Sequence, residues 1–417
     1  MKVLFINKYD VTGGAGITAT RLAQGLQIMG DVDIRFLVGV RRSSDVSVTA
    51  TRQSRVEEFI ERGVNVLTSA AGFQYVWFPF STERIRRHTF DWKPDVVSVH
   101  NLHGGYFDLA LLKEISTLAP IVWTMHDMWA FTANSAHTFG DVSWRSMRPG
   151  PDEHRQFPRI GIRNGSWLLR RKDRIYRHSR LSFVGPSEWI VSLARQSPLL
   201  SDKKVHHIPN GIDTDIFSPR DRSAARGRLG VPMDASVVAF GAEKILASSH
   251  KGGRLLVEIL RELDSRLREP LHLLLFGRQS SSLREKGWNM IRMHPVGYVK
   301  DEADLAEILS AADVFIHPSR ADTFPVTLLE ATACGVPCVT YAVGGCPEIV
   351  LHGRNGFAVM NHDAKAFVDR VLELLADAGL RRSFSQEAVK IARERFSIGQ
   401  MADGYKRLFE AVQGMAP

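Results

Sequence analysis

Short apolar runs alternate with helix-length amphipathic stretches along most of the chain. In the first half, the runs at 2–6, 34–38, 96–100, 121–124 and 181–184 have the length of buried strands; in the second, those at 236–240, 271–276, 314–316, 338–341 and 357–360 do. Near-continuous apolar strands separated by helices are the pattern of parallel sheets covered on both faces. Proline, glycine and aspartate interrupt the periodicity around 209–219, so a change of domain is expected there. The pattern predicts an α/β protein with domains at 1–210 and 211–398, followed by a helix-like segment at 399–417. A chain of 417 residues is too long for one ordinary core, which agrees with two domains.

The densest block of candidate chemistry runs from Ala312 to Ile349. An apolar run stops at His317, Pro318 and Ser319, which places a polar turn at the C-terminal end of a strand, where open α/β sheets bind ligands. Pro325 suits the first turn of a following helix, which continues through Val326, Leu328, Leu329, Ala331 and Ala333 until Gly335 and Pro337 end it. The free N–H groups of Val326 and Thr327 would attract a phosphate. Asp322 precedes this helix and Glu330 lies inside it. A carboxylate at the second place can accept both hydroxyls of a ribose, and one at the first can accept sugar hydroxyls. As a pair alone, they could equally be a surface aspartate and an ordinary helix glutamate. The glycine pair Gly344-Gly345 followed by Cys346-Pro347-Glu348-Ile349 favours the ligand site.

This block resembles the acid-x7-Glu signature and following GG-x-PE-[IL] loop of the retaining, GT-B-fold glycosyltransferases of family 4, with Asp322 where most members have glutamate. Other segments resemble the same family: His207 to Asp213 with Phe217-Ser218-Pro219, the His250-Lys251-Gly252-Gly253 loop, and the glycine loop from Asn7 to Gly16. The likeness covers nearly the whole chain. It implies two Rossmann-like domains facing across a cleft, an N-terminal acceptor side, a C-terminal donor side, and a final helix crossing back. It also implies transfer of a sugar from a nucleotide diphosphate sugar to a hydroxyl of a glycan or lipid-linked acceptor, of the bacterial polysaccharide or lipopolysaccharide type.

The resemblance carries roles onto particular residues. Gly13, Gly14 and Ala15 face the donor diphosphate or the acceptor; Phe324, Pro325, Val326 and Glu330 belong to the donor site. His126, in a TMHD context, matches the histidine that contacts the donor sugar, with His100 a weaker candidate and His103 read as structural. Asp127 would orient an imidazole or cap the next helix. Lys251 would neutralise charge on the leaving diphosphate. An arginine that many members carry shortly before this lysine is missing, and Lys244 could replace it, although an ammonium is no substitute for a guanidinium fork. Arg278 is a further candidate. Retention without a covalent intermediate, by attack on the same face with the departing phosphate taking the acceptor's proton, leaves Asp322 to bind the sugar and stabilise charge.

No metal or other cofactor is expected. The D-x-D pairs Asp31/Asp33 and Asp213/Asp215 sit beside a strand and in a turn, and Cys334, Cys338 and Cys346 lack metal-ligand spacing. They read as free thiols. A rival class rests on Gly14 to Ala19, which fits a loose G-x-G-x-x-A dinucleotide pattern, with Arg41 and Arg42 after the second strand as an NADP contact. Two more functions compete with the transferase: a related enzyme making a soluble glycoside or epimerising a nucleotide sugar, and a non-catalytic sugar-nucleotide binding protein.

The formal charge of +9 is uneven: residues 145–180 hold eleven arginines and lysines against three acids. Trp144, Phe157, Trp167, Leu168, Leu169 and Tyr176 are interleaved with them. This composition makes an anionic membrane surface a candidate partner, with a solvated helical face as the competing explanation. No nucleic-acid motif accompanies the charge. No run approaches the length of a membrane span, and Met1 to Asn7 turns polar too early for a secretory signal. The expected location is the cytoplasm, with peripheral docking on the inner face of the cytoplasmic membrane as a further candidate.

Overall fold

The structure, a computed structural model, describes all residues except 245–251, 279–282, 284–286, 361 and 415–417, and only the backbone of 243–244. The chain forms two compact units. The first comprises Met1–Gly211 with the chain from Gly399 onward, and the second is Ile212–Ile398.

The first unit begins β1 (Lys2–Tyr9), α1 (Gly13–Ile28), β2 (Asp33–Val40), β3 (Val48–Ala50), α2 (Arg55–Ala70) and α3 (Pro79–Trp92). It continues with β4 (Val96–Val99), α4 (Leu111–Leu118), β5 (Ile121–Thr124), α5 (Gly165–Arg177), β6 (Leu181–Gly185), α6 (Glu188–Arg195) and β7 (Lys204–His207). Its seven strands lie in the order β3-β2-β1-β4-β5-β6-β7, and every pairing is parallel. Alternation along β1 divides the core: Val3 and Phe5 pack on one face of the sheet, Leu4 and Ile6 on the other.

The second unit runs α7 (Arg222–Leu229), β8 (Ser236–Lys244), α8 (Gly253–Arg266), β9 (Leu271–Arg278), β10 (Ile291–Gly297), α9 (Glu302–Ser310) and β11 (Val314–His317). Then follow α10 (Val326–Ala333), β12 (Cys338–Tyr341), α11 (Cys346–Ile349), β13 (Gly356–Val359), α12 (Ala364–Ala376) and α13 (Ala378–Arg395). Its six strands are also parallel, in the order β10-β9-β8-β11-β12-β13. Phe315 of β11 points into one core, Val314 and Ile316 into the other. The last helix, α14 (Ile398–Gln413), lays Met401, Ala402, Tyr405, Leu408, Phe409 and Val412 into the β1 core of the first unit, and the Tyr405 and Thr124 hydroxyls lie 2.7 Å apart.

The two parallel α/β sheets follow the hydrophobic pattern. Three edge strands do not: β3 is three residues long, β7 reads Lys-Val-His-His, and β10 contains a proline. An edge strand needs no continuous apolar run, and it tolerates proline because one side of its backbone pairs with nothing. The second unit is also pinned by a buried charge at the start of β11. Asp313 accepts from the Val237 N–H (2.8 Å) and Arg226 Nη2 (2.9 Å), contacts Arg222, and lies 3.6 Å from Arg381 Nε, so one carboxylate joins α7, β8, β11 and α13.

Candidate functional site

Each unit carries its own cluster of candidate site residues at the C-terminal ends of its central strands. In the second unit, β11 stops at His317 and the chain turns through Pro318–Pro325 into α10. Pro325 stands at the N-cap, one position before the first helical residue, so Val326 opens the helix with its N–H unclaimed by a preceding turn. Two glycines close on this turn, one at each of two backbone carbonyls. Gly344, at φ +56°, lies so close to the Asp322 backbone that a Cβ would overlap its carbonyl, and the Gly345 N–H donates to that carbonyl at 3.1 Å. Gly252, at φ +72°, is pressed in the same way against the Pro318 carbonyl. Only glycine adopts these backbones without strain and leaves room for the approach.

Asp322 is 8% exposed, and its Oδ2 stands 3.4 Å from Nε2 of His317. Glu330 is 2% exposed, inside α10. Phe324 is placed differently from the expectation: its ring is buried in the core, edge-on to Phe396 with centroids 5.5 Å apart, so contact with a ligand falls to its backbone. Arg278, exposed at the end of β9, lies over the Tyr298 ring at 4.7 Å, and its backbone pairs with that of Lys244. Lys251 and the side chain of Lys244 lie outside the described residues; Gly252 fixes where the chain emerges from that loop, against the Pro318 turn.

In the first unit, Gly13, Gly14 and Ala15 form the first turn of α1 directly beyond β1. The buried Asp10 holds this loop to the end of β2 by accepting from the N–H groups of Arg42 and Ser43, both at 2.8 Å. Gly14 and Gly16 are thus inside a helix. A dinucleotide fingerprint wants its first glycine in the turn before the helix, so the nicotinamide reading loses its geometric basis.

The ends of β4 and β5 bring three histidines together. Ser98 Oγ lies 3.3 Å from His100 Nε2, and His100 Nδ1 lies 3.0 Å from His126 Nε2, giving a chain from the sheet interior to the half-buried His126. Burial, with the neighbouring imidazole adding to it, pushes the His100 pKa well below the usual histidine value; burial likewise brings His126 down to about 4. Both rings are neutral near pH 7. If His100 donates through Nδ1, His126 must carry its proton on Nδ1, as a hydrogen-bond donor to a bound oxygen.

Asp127 does not orient His126. Its Oδ2 pairs with His103 Nε2 at 2.7 Å, while Oδ1 caps the next turn by accepting from the Trp129 N–H at 2.8 Å. Burial raises the Asp127 carboxyl, but His103, His137 and the Trp129 N–H together outweigh it and hold the pKa down to about 2. Sequence reasoning missed both the Ser98–His100–His126 chain and the His103–Asp127 pair. The signal available was a histidine cluster at the ends of two strands, which becomes a contact once β4 and β5 are neighbours.

The basic segment 145–180 differs from an interfacial surface in one respect. Trp144, Leu168, Leu169 and Tyr176 are core residues, Lys172 is buried against the carbonyls of Trp129 and Thr132, and Arg171 pairs with Asp108 at 2.6 Å. The segment keeps exposed arginines but not most of the apolar side chains expected among them. Among the described residues no group of three or more histidine, cysteine or acidic side chains is placed to hold a metal, and Asp213 uses its Oδ1 to cap its own turn at the N–H groups of Asp215 and Ile216.

Comparison with known proteins places two family models on the chain: "Glycosyltransferase Family 4" matches residues 12–216 and "Glycosyl transferases group 1" matches 246–391. A D-inositol 3-phosphate glycosyltransferase of Xylanimonas cellulosilytica is 33% identical over 394 residues, covering 87% of this chain and 86% of that protein. Among solved structures, sucrose-phosphate synthase from Thermosynechococcus elongatus superposes with a TM-score of 0.69 at 18% identity, over 98% of this chain and 99% of that one. HepE from Anabaena, in complex with UDP-glucose, gives 0.68 at 16% identity, over 99% and 100%. These structures share the two-domain fold.

Proposed function

The chain belongs to the family 4 glycosyltransferases, with the GT-B fold and a nucleotide-sugar donor, and we propose that it transfers the sugar with retention to a hydroxyl of a glycan or lipid-linked acceptor in cell-surface polysaccharide synthesis. The observation that carries this reading is the Pro318–Pro325 turn, closely contacted by Gly252 at Pro318 and by Gly344 at Asp322, with Asp322 on it and Glu330 on the helix it starts. In this reading the diphosphate lies on the first N–H groups of α10, where the helix dipole favours negative charge, and Lys251 adds a cation as the leaving group separates. Glu330 receives the ribose hydroxyls and Asp322 the sugar hydroxyls. No divalent cation is assigned a part.

His126 then acts as a neutral donor to an oxygen of the sugar. A neutral imidazole suits this position because an imidazolium would oppose the positive charge that builds at the anomeric carbon. In this reading Asp322 stabilises that charge, and the acceptor hydroxyl attacks on the face the phosphate leaves. The proton passes to the departing phosphate.

The name of the Xylanimonas relative favours a second reading of the acceptor, as a small soluble polyol phosphate. Incubating the protein with UDP-, GDP- and ADP-sugars and either membrane lipid extract or inositol phosphate separates the two. A lipid-extractable product whose new linkage keeps the donor's anomeric configuration by NMR supports the proposal. A water-soluble glycoside supports the second reading, and an inverted linkage contradicts the mechanism.

A further inference from the structure

Helix α2 is turned the wrong way round for a helix that stabilises a core. Its residues Val56, Phe59, Ile60, Gly63, Val66, Leu67 and Ala70 recur at the spacing of one helical face, a stripe that normally packs inward. Here the stripe faces solvent: Phe59 is 78% exposed, Leu67 72%, Val56 65% and Val66 60%. Among the described residues of α2 only Glu61 is buried. Its carboxylate accepts from the Ser81 N–H at 2.7 Å and the Ser81 hydroxyl at 2.6 Å, and burial raises its pKa. The helix is therefore held by a polar anchor and leaves its apolar face uncovered.

The exposed surface continues past the end of α2. The Gly161 N–H donates to the Ser69 carbonyl at 2.8 Å, which brings Ile162, 59% exposed, beside the helix terminus, and Phe73 packs edge-on to Trp167. Arg55 and Arg62 lie together on one flank of the stripe, and Arg159 and Arg163 are exposed on the adjoining loop. Of the acids on the helix, Glu57 pairs with Arg84 at 3.1 Å, and Glu58 falls one turn from Arg62 on the side away from the stripe; off the helix, Asp152 lies 3.9 Å from Arg163, so the four arginines outnumber the two acids beside them.

We propose that α2, with the 157–163 loop, lies in the surface of an anionic bilayer, its apolar stripe among the acyl chains and its arginines against lipid headgroups. An exposed stripe this long marks an interaction surface, and a helix lying in the interface plane is the arrangement that buries it. The arginines select the occupant: two copies of this face would bring like charges together, whereas anionic headgroups complement them. This moves the membrane contact from the body of 145–180 to α2. It does not depend on which acceptor the enzyme uses.

The test is flotation of the full chain with vesicles of phosphatidylcholine alone and with phosphatidylglycerol added, comparing wild type, Phe59→Ser/Leu67→Ser and Arg55→Gln/Arg62→Gln. The substituted side chains are exposed, so unchanged melting temperature and nucleotide binding confirm folding and keep this test separate from the donor reading. The wild type should float with the phosphatidylglycerol vesicles and be released by salt. The apolar pair should lower partitioning at least roughly tenfold, and the arginine pair should abolish the preference for anionic lipid. Absence of wild-type flotation, equal flotation of the Phe59→Ser/Leu67→Ser variant, or a wild-type dimer that this variant dissolves in place of vesicle binding would overturn the proposal.

Discussion

His100 Nδ1 stands 3.0 Å from His126 Nε2, so the tautomers of the half-buried ring and the buried ring behind it are coupled: only one of the two facing nitrogens carries a proton. His126→Ala should lower turnover by about ten- to a hundredfold, the range for loss of one well-placed hydrogen bond. His100→Phe keeps the ring volume but removes the partner; it should lower kcat roughly tenfold while leaving nucleotide affinity unchanged. His100→Asn, which can return a donor near the Nδ1 position, should recover part of the loss. Equal activity of the Phe and Asn variants would reduce His100 to packing.

The same pair makes stability depend on acid. His126 has a folded pKa of about 4 and His100 a lowered one, while an unfolded chain binds protons at the usual histidine value near 6.5. Below that value the unfolded state binds more protons, so stability is present above about pH 6.5 and is lost as pH falls toward 4. Allowing for the partial exposure of His126, its share is on the order of 2 kcal/mol. Urea titrations from pH 7.5 to 4.5 should show the slope for wild type and a shallower one for a His100→Phe/His126→Phe double variant. Parallel slopes would locate the acid sensitivity elsewhere.

Gly344→Ala should disturb the donor turn directly. The position has φ +56° and a Cβ there would overlap the Asp322 carbonyl, so the turn must shift as well as accept a strain of about 1–2 kcal/mol. The variant should melt lower and bind nucleotide diphosphates at least roughly tenfold more weakly. Unchanged nucleotide affinity in the folded variant would show that the turn does not hold the donor.

Asp313→Ala tests the buried anchor of the second unit. It leaves Arg226, which is 2% exposed, without its carboxylate and removes the acceptor of the Val237 N–H, so the loss should be about 3–5 kcal/mol in urea unfolding. A loss of 1 kcal/mol or less, roughly the size of a surface pair, would show that the arginines regain water.

Much of the fold is legible in the amino-acid sequence because the central strands are buried on both faces. Runs such as Val-Val-Ser-Val in β4 and Ile-Val-Trp-Thr in β5 have few other uses in a chain of this composition. The 317–330 turn is equally legible, since strand end, proline, helix and glycine pair are each set by local chemistry. Contacts that depend on which strands are neighbours are not. Asp127 adjoins His126 in sequence yet pairs with His103, and Trp144 and Tyr176 sit among arginines yet pack inside. The stripe of α2 is the sharpest case, because periodicity fixes that a helix has an apolar face without fixing what that face meets.

In the proposed function the turn at Asp322 and the helix carrying Glu330 form the donor site. Calorimetric titration of the wild type and of Glu330→Ala with UDP, GDP, ADP and their glucose conjugates, with EDTA present, tests it most directly. One base family should bind the wild type without metal, and the folded Glu330→Ala variant should bind it at least roughly tenfold more weakly, as loss of a charged hydrogen bond to the ribose requires. Unchanged affinity in the folded variant would contradict it.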